Sequence, residues 1–159
     1  MRAVWASGLI ALALFAGLAW YLSPLEPGVV ALQFAPTPTA FAEIVSLWSS
    51  EDLIRYRRHL PVDFLLLVAY GSFGYLLVSR TQVFGSCGQS PRRLATWLLP
   101  LAALFDAAEN VLQGWLTADK PLEAPFAHAA SAGFACLKWA LIGGFCVLLA
   151  HALIRLRKQ

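Results

Sequence analysis

The sequence predicts an all-α membrane protein: a bundle of four transmembrane helices with a long outer loop that carries short interfacial helices. Hydrophobic residues make up 59% of its 159 residues and charged residues only 13%. A soluble domain of this length has no room to bury so much apolar surface. Four apolar stretches are long enough to cross a bilayer with some tilt. The charges between them are distributed unequally between the two sides, as in multi-pass membrane proteins.

The four predicted spans belong to a single integral-membrane domain, 1–159, whose outer loop is 23–61. The spans are approximately 4–22, 62–79, 92–116 and 126–154. One side receives basic residues with no acidic residue among them: Arg2, Arg80, Arg92, Arg93, Arg155, Arg157 and Lys158. This asymmetry predicts that both termini are cytoplasmic, as in a bacterial inner (plasma) membrane. Anionic headgroups of membrane lipids account for the basic residues on this side, so no nucleic acid is expected as a partner.

The cysteines give no sign of redox chemistry. The sequence has three, Cys87, Cys136 and Cys146. No two of them form a CxxC pair, so the pattern does not favour a thiol–disulfide carrier. Within the predicted fourth span, Cys136 and Cys146 are expected to fill space as small apolar residues.

The first span follows Arg2 without a further charge. Its apolar run is too long for a cleavable signal peptide, and residues 18–21 lack a small-x-small cleavage site, so we expect the span to be retained. Pro24 and Pro27 end it at the outer surface.

The outer loop is too long for a plain connection between neighbouring spans. Its first apolar run, 29–34, is predicted to be extended or to lie on the membrane. The apolar residues of 41–48 recur at helical spacing, which predicts an amphipathic helix. Ser49 and Asp52 resemble a capping box that starts a second short helix at about 50–59. The loop is either a lid in the interface plane or an anchor that seats the second span.

The three later spans each carry polar or helix-bending residues. One face of the second span, which begins at Pro61, carries Asp63, Tyr70 and Gly74. The third begins with Ser90 as a cap and Pro91 in its first turn, and Pro100 should kink it. The fourth follows Pro125, and its polar face is formed by His128, Ser131, Ala135, Lys138, Ile142 and Phe145.

The third span also carries a polar stripe, since Asp106, Glu109, Asn110 and Gln113 recur at i, i+3, i+4 and i+7. Carboxylates in a membrane are expensive, so these should face protein or a wet cavity. At 1.5 Å per residue, Asp106 and Lys138 lie roughly 16 to 18 Å below the outer ends of their spans. The sequence therefore predicts an Asp106–Lys138 pair near mid-membrane, and a Glu109 that holds a proton or a cation.

These groups predict a polar column that opens to the outer side. The candidate catalytic residues are Asp106, Glu109 and Lys138, and a protonated Glu109 would be a competent general acid. The candidate ligand-binding residues are Asp63, Tyr70, Asn110, Gln113, His128 and Ser131. No metal site is predicted, because no histidine pair or Glu-x-x-His spacing is present. The sequence identifies no cofactor.

Three functional hypotheses follow from this pattern. The first is a protein that binds a lipid or hydrophobic small molecule in an outward-opening pocket, with acid–base chemistry as an extension; no particular reaction is identified. The second is an accessory or assembly subunit, or a homodimer, that packs through a small-residue ridge formed by Ala132, Cys136, Ala140 and Gly144. The third is a proton-linked transporter subunit, which would need a polar path beyond Lys138. The alternative to all three is a purely structural ion pair that holds helix register.

Overall fold

The computed structural model describes residues 1–85, 87–118 and 125–157, and within these ranges every regular element is an α-helix. The helices are α1 (Arg2–Leu22), α2 (Val29–Gln33), α3 (Pro38–Leu47), α4 (Ser50–Arg80), α5 (Gln89–Leu116) and α6 (Pro125–Leu156). The long helices pack in chain order, α1 on α4, α4 on α5 and α5 on α6. As a result α5 lies between α4 and α6. Lys158, one of the predicted cytoplasmic basic residues, lies outside the described residues.

Three of the described helices, α1, α4 and α6, are long and apolar enough to cross a membrane, which indicates a membrane protein. α5 has 28 residues and is also long enough. Its acidic and amide side chains lower its hydropathy, so it is not among the three. That α5 is a fourth membrane span therefore stays a prediction.

α1 leaves most of its apolar surface exposed. The buried residues of this helix are Val4 and Ala11, whereas Trp5 is 66% and Trp20 79% exposed. α1 touches α4 closely at Gly8, where an added Cβ would lie 2.9 Å from the ring of Phe73. An apolar surface of this extent is unfavourable in water and suits contact with lipid.

α4 is one continuous helix where the sequence predicts two pieces. It begins with the predicted capping box: Asp52 N donates to Ser49 Oγ at 3.1 Å, and Ser49 N donates to Asp52 Oδ2 at 3.1 Å. The predicted boundary at Pro61 is wrong, because the helix runs through Pro61 to Arg80. Proline removes one backbone hydrogen bond, but buried side chains before and after it pack both halves of the helix against neighbouring elements.

α4 and α5 approach each other closely at two buried glycines. A Cβ added at Gly74 would lie 2.6 Å from the Cβ of Leu99, and one added at Gly71 would lie 3.3 Å from the Cβ of Ala103. Small residues at a helix–helix contact allow the backbones to come together. This contact brings the polar stripe of α5 within reach of α4.

The predicted outer loop folds over the start of α4, the end of α5 and the start of α6. The run that the sequence predicts to be extended or to lie on the membrane is the helix α2, and Thr37 caps α3 by accepting a hydrogen bond from Ala40 N at 3.2 Å. Trp48 Nε1 donates to the carbonyl of Pro27 at 2.9 Å. The buried side chains of this layer are Leu25, Leu32, Ala35, Phe41, Trp48, Tyr56, Leu116 and Ala127. We call residues 25–48 the lid.

The opposite end of the long helices is packed with apolar side chains. The buried members of this cluster are Val78, Phe84, Ala95, Leu98, Leu99, Phe145 and Ala152. α5 begins there with Gly88 as its N-cap, so Ser90 lies inside the helix and is not the predicted cap. Pro91 occupies the first turn as predicted, and Pro100 lies inside α5.

Candidate functional site

The polar stripe of α5 is buried between the two neighbouring helices. Asp106, Glu109, Asn110 and Gln113 are all buried although they are polar. α4 supplies partners on one side of the stripe and α6 supplies them on the other. The helical spacing read from the sequence therefore places all four side chains against protein.

Lys138 of α6 is the centre of the site and contacts two carboxyl groups. Its Nζ lies 2.7 Å from Asp106 Oδ1 and 2.7 Å from Glu109 Oε2. Tyr70 of α4 donates to the second oxygen of Asp106, Oδ2, at 3.2 Å. The predicted meeting of Asp106 and Lys138 is present, and Tyr70 has the polar partner that a buried phenol needs. We call these four side chains the ion centre.

Glu109 is the least satisfied member of the ion centre. It is 1% exposed, and its Oε1 has no hydrogen-bond partner among the described residues. Its Oε2 lies at ion-pair distance from Lys138, but the contact lacks hydrogen-bond geometry. One amine cannot neutralise two carboxylates, and a buried polar group without a partner costs about 1 to 3 kcal/mol. Glu109 therefore needs a proton or a group that donates to it.

Two amide side chains continue the site toward the lid. Asn110 Nδ2 donates to Asp63 Oδ2 at 2.6 Å. Gln113 uses both ends of its amide, because Nε2 donates to Ser131 Oγ at 3.0 Å and Oε1 accepts from Tyr56 OH at 3.1 Å. These bonds join α4, α5 and α6 above the ion centre.

His128 lies at the outer end of the site, beneath the lid. It is 8% exposed, and its ring meets that of Phe41 edge to face with the centroids 5.1 Å apart. The lid therefore covers the outer end of the predicted column. Asp63 and Tyr70, both on α4, are half-buried and are the more accessible of the predicted site residues.

Tyr56 and His59 belong to this buried region and were missed by the sequence prediction. His59 Nδ1 contacts the carbonyl oxygen of Tyr56, and the two rings lie 4.8 Å apart. A signal was available, because Tyr56, Asp63 and Tyr70 are spaced at i, i+7 and i+14 and share one face of a continuous helix. The expected boundary at Pro61 concealed that relation.

Metal-ligating side chains do not gather within residues 1–85, 87–118 and 125–157, where no three His, Cys, Asp or Glu side chains are placed to hold an ion. Cys87 is a half-buried free thiol. Cys136 and Cys146 are free and exposed, so they lie on the surface of α6 instead of filling space within the protein.

The predicted small-residue ridge of α6 is only partly at the surface. Cys136 and Ala140 are exposed, but Gly144 is half-buried and Ala132 is buried. An added Cβ at exposed Gly133, beside the ridge, would meet no atom of another described element within 4 Å. Packing of a second copy or another membrane protein on this face stays a prediction.

Comparison of the chain with protein-family models, with curated proteins and with solved structures finds no match. The site combines a buried ion pair, a second carboxyl group with an oxygen that has no partner in the described part of the chain, and an apolar and aromatic cover. Such a site is suited to hydrogen-bond donors and cations, and a protonated carboxyl group in it is a competent acid.

Proposed function

We propose that this chain is a multi-pass membrane protein whose ion centre binds the polar head of a lipid or hydrophobic small molecule that enters from the outer side. The observation that carries the proposal is Glu109 Oε1, a buried oxygen with no hydrogen-bond partner among the described residues. A ligand group that donates to this oxygen would satisfy it. The other groups around the ligand would be Asp63, Asn110, Gln113, His128 and Ser131.

The membrane arrangement that we propose has four spans, with α5 crossing between α4 and α6. The polar stripe of α5 faces protein, and its outward side is apolar. The exposed side chains there are Leu94, Trp97, Leu101, Leu104, Val111 and Trp115. A helix with this surface is compatible with lipid although its mean hydropathy is reduced. The excess of basic residues at one end favours cytoplasmic termini, in a bacterial inner membrane.

The chemistry of the site favours a ligand head that carries a positive charge or hydrogen-bond donors. Lys138 offsets the charge of one carboxylate, and Asp63, Asp106 and Glu109 together offer more acid than one lysine balances. An anionic head would add to that excess. Acid–base catalysis on the bound molecule, with Glu109 as the proton carrier, is an extension of this proposal.

Entry from the outer side requires movement of the lid. Phe41 and Trp48 of the lid are buried over the site, and Phe41 covers His128. The two lid helices have 5 and 10 residues, which is too short for independent stability in water. Their position depends on apolar packing, which the hydrocarbon part of a ligand is able to replace.

The test is mass spectrometry of small molecules that remain with the protein after gentle extraction. We expect an amphiphile to accompany the wild-type chain, and its amount to fall about tenfold in Glu109→Gln, because the amide replaces one carboxylate acceptor by a donor. Glu43→Gln is the matched control, since Glu43 is exposed on α3. Equal amounts in both variants, or no bound molecule in the wild type, would contradict the proposal.

The second candidate function is an assembly subunit that docks on another membrane protein. It is favoured by the open face of α6 beside Gly133, where another helix is able to approach closely. The same extraction distinguishes it, because an assembly subunit would elute as a stable larger complex and without a bound amphiphile. The transporter hypothesis has less support, since the side chains clustered beyond Lys138 are apolar.

A further inference from the structure

A cavity distinct from the ion centre lies between the end of α1 and the start of α4. Its volume is about 670 Å³. The side chains that matter for its chemistry are Trp20, Tyr21, Glu51, Ile54, Arg55 and Arg58. The cavity thus brings two guanidinium groups and one carboxylate next to aromatic and aliphatic surface.

The guanidinium group of Arg55 is held by Tyr21. Its Nη1 donates to the carbonyl of Tyr21 at 3.2 Å, and its guanidinium carbon lies 5.5 Å from the centroid of the Tyr21 ring. Its Nε is buried and has no hydrogen-bond partner in the described part of the chain. The contacts with Tyr21 fix the guanidinium at the wall of the cavity, and a guanidinium held in place binds a phosphate with several hydrogen bonds at once.

The walls of the cavity fit a lipid better than a small soluble anion. Trp20 is 79% and Ile54 is 50% exposed, so apolar surface adjoins the charged groups. In the proposed orientation the cavity lies at the outer interface, where tryptophan and tyrosine contact headgroups. The exposed apolar side of α1 continues from it as a surface for acyl chains.

We infer that this cavity binds the headgroup of a zwitterionic phospholipid, with the phosphate on Arg55 and Arg58 and the ammonium group on Glu51. The phosphate of any phospholipid would pair with the two guanidinium groups, but a headgroup that also carries an ammonium group offers a partner of opposite charge to the Glu51 carboxylate. The inference does not depend on the ligand proposed for the ion centre. The proposed orientation decides only which leaflet of the bilayer supplies the lipid.

The experiment is a lipid titration of the purified full chain in detergent, with bound lipid counted by native mass spectrometry. The probes are phosphatidylethanolamine, phosphatidylglycerol with the same acyl chains, and inorganic phosphate. We expect preference for phosphatidylethanolamine, about tenfold weaker binding in Arg58→Gln, and unchanged binding in the control Arg157→Gln. Glu51→Gln should shift the preference toward phosphatidylglycerol.

Arg58 and Glu51 are exposed, so both substitutions should leave the fold intact, which circular dichroism checks. Equal binding by Arg58→Gln and Arg157→Gln would overturn the inference. Displacement of the lipid by inorganic phosphate would overturn it too, by assigning the cavity to a free anion. Glu109→Gln should not alter this binding, so the two proposals fail separately.

Discussion

At the scale of single residues, the charge balance around Lys138 decides how firmly α5 and α6 are joined. Its amine meets both Asp106 and Glu109 at 2.7 Å. Removing one member of a buried ion pair leaves the other charge uncompensated and costs about 3 to 5 kcal/mol, whereas removing both costs far less than the sum. The interaction is therefore measured by the coupling between two substitutions.

A double-mutant cycle on Asp106→Asn and Lys138→Met tests this coupling. We expect Lys138→Met to lose about 3 kcal/mol of unfolding free energy, Asp106→Asn to lose less because Glu109 still contacts the amine, and the double variant to lose less than the sum of the two. Denaturant titration in detergent, followed by circular dichroism, gives the three values. Strictly additive losses would show that the two side chains do not act as a pair.

At the scale of helices, the approach of α4 to α5 depends on the missing side chain at Gly74. The neighbouring Cβ of Leu99 is attached to the α5 backbone, so it cannot rotate away from an added methyl group. The polar contacts of the site need this approach, because Tyr70 and Asp63 on α4 reach Asp106 and Asn110 on α5 across it.

Replacing Gly74 by alanine should destabilise the protein by about 1 to 3 kcal/mol, the usual cost of overpacking. Alanine is the better helix former by about 1 kcal/mol, so the steric effect has to exceed that gain. Gly17→Ala is the control, since its added Cβ would have no neighbour within 4 Å among the residues that the structure describes. The measurement is the thermal unfolding midpoint of both variants. Equal midpoints for Gly74→Ala and Gly17→Ala would show that α4 and α5 move apart without loss of stability.

At the scale of the whole molecule, the long helices are ordered so that α5, which carries the buried polar stripe, is shielded on two sides. α1, the most exposed of them, packs on α4, and of the ion centre Tyr70 adjoins this contact. The lid packs over the start of α4, the end of α5 and the start of α6, and an apolar cluster fills the opposite end. In the proposed four-span arrangement, the lid lies on the outer side and the apolar cluster occupies the cytoplasmic half of the bundle.

Single-cysteine labelling tests that arrangement in a variant without the native cysteines. Ser46→Cys, exposed on the lid helix α3, should react with a membrane-impermeant maleimide added to intact cells. Ser79→Cys, exposed near the end of α4, should react only after the membrane is permeabilised. Labelling of both positions in intact cells would be incompatible with α4 crossing the membrane.

The membrane character of the chain and the membership of its polar centre could both be read from the sequence. Long apolar runs and helical periodicity are local properties, so they identify the helices and place Asp106, Glu109, Asn110 and Gln113 on one face. Lys138, the cation in the middle of α6, then has few acidic side chains at its own depth with which to pair. For this reason the Asp106–Lys138 contact could be predicted without coordinates.

The tertiary structure alone decided which helices are neighbours, how the lid lies, and which atoms remain unpartnered. From the sequence alone, Pro61 predicts an interrupted helix, because proline removes a backbone hydrogen bond. α4 continues through Pro61 because residues on both sides of it pack against other elements. Glu109 Oε1 lacks a partner among the described side chains because of geometry that residue spacing does not encode. Sequence periodicity specifies the face on which a residue lies, whereas contacts across helices decide what that face meets.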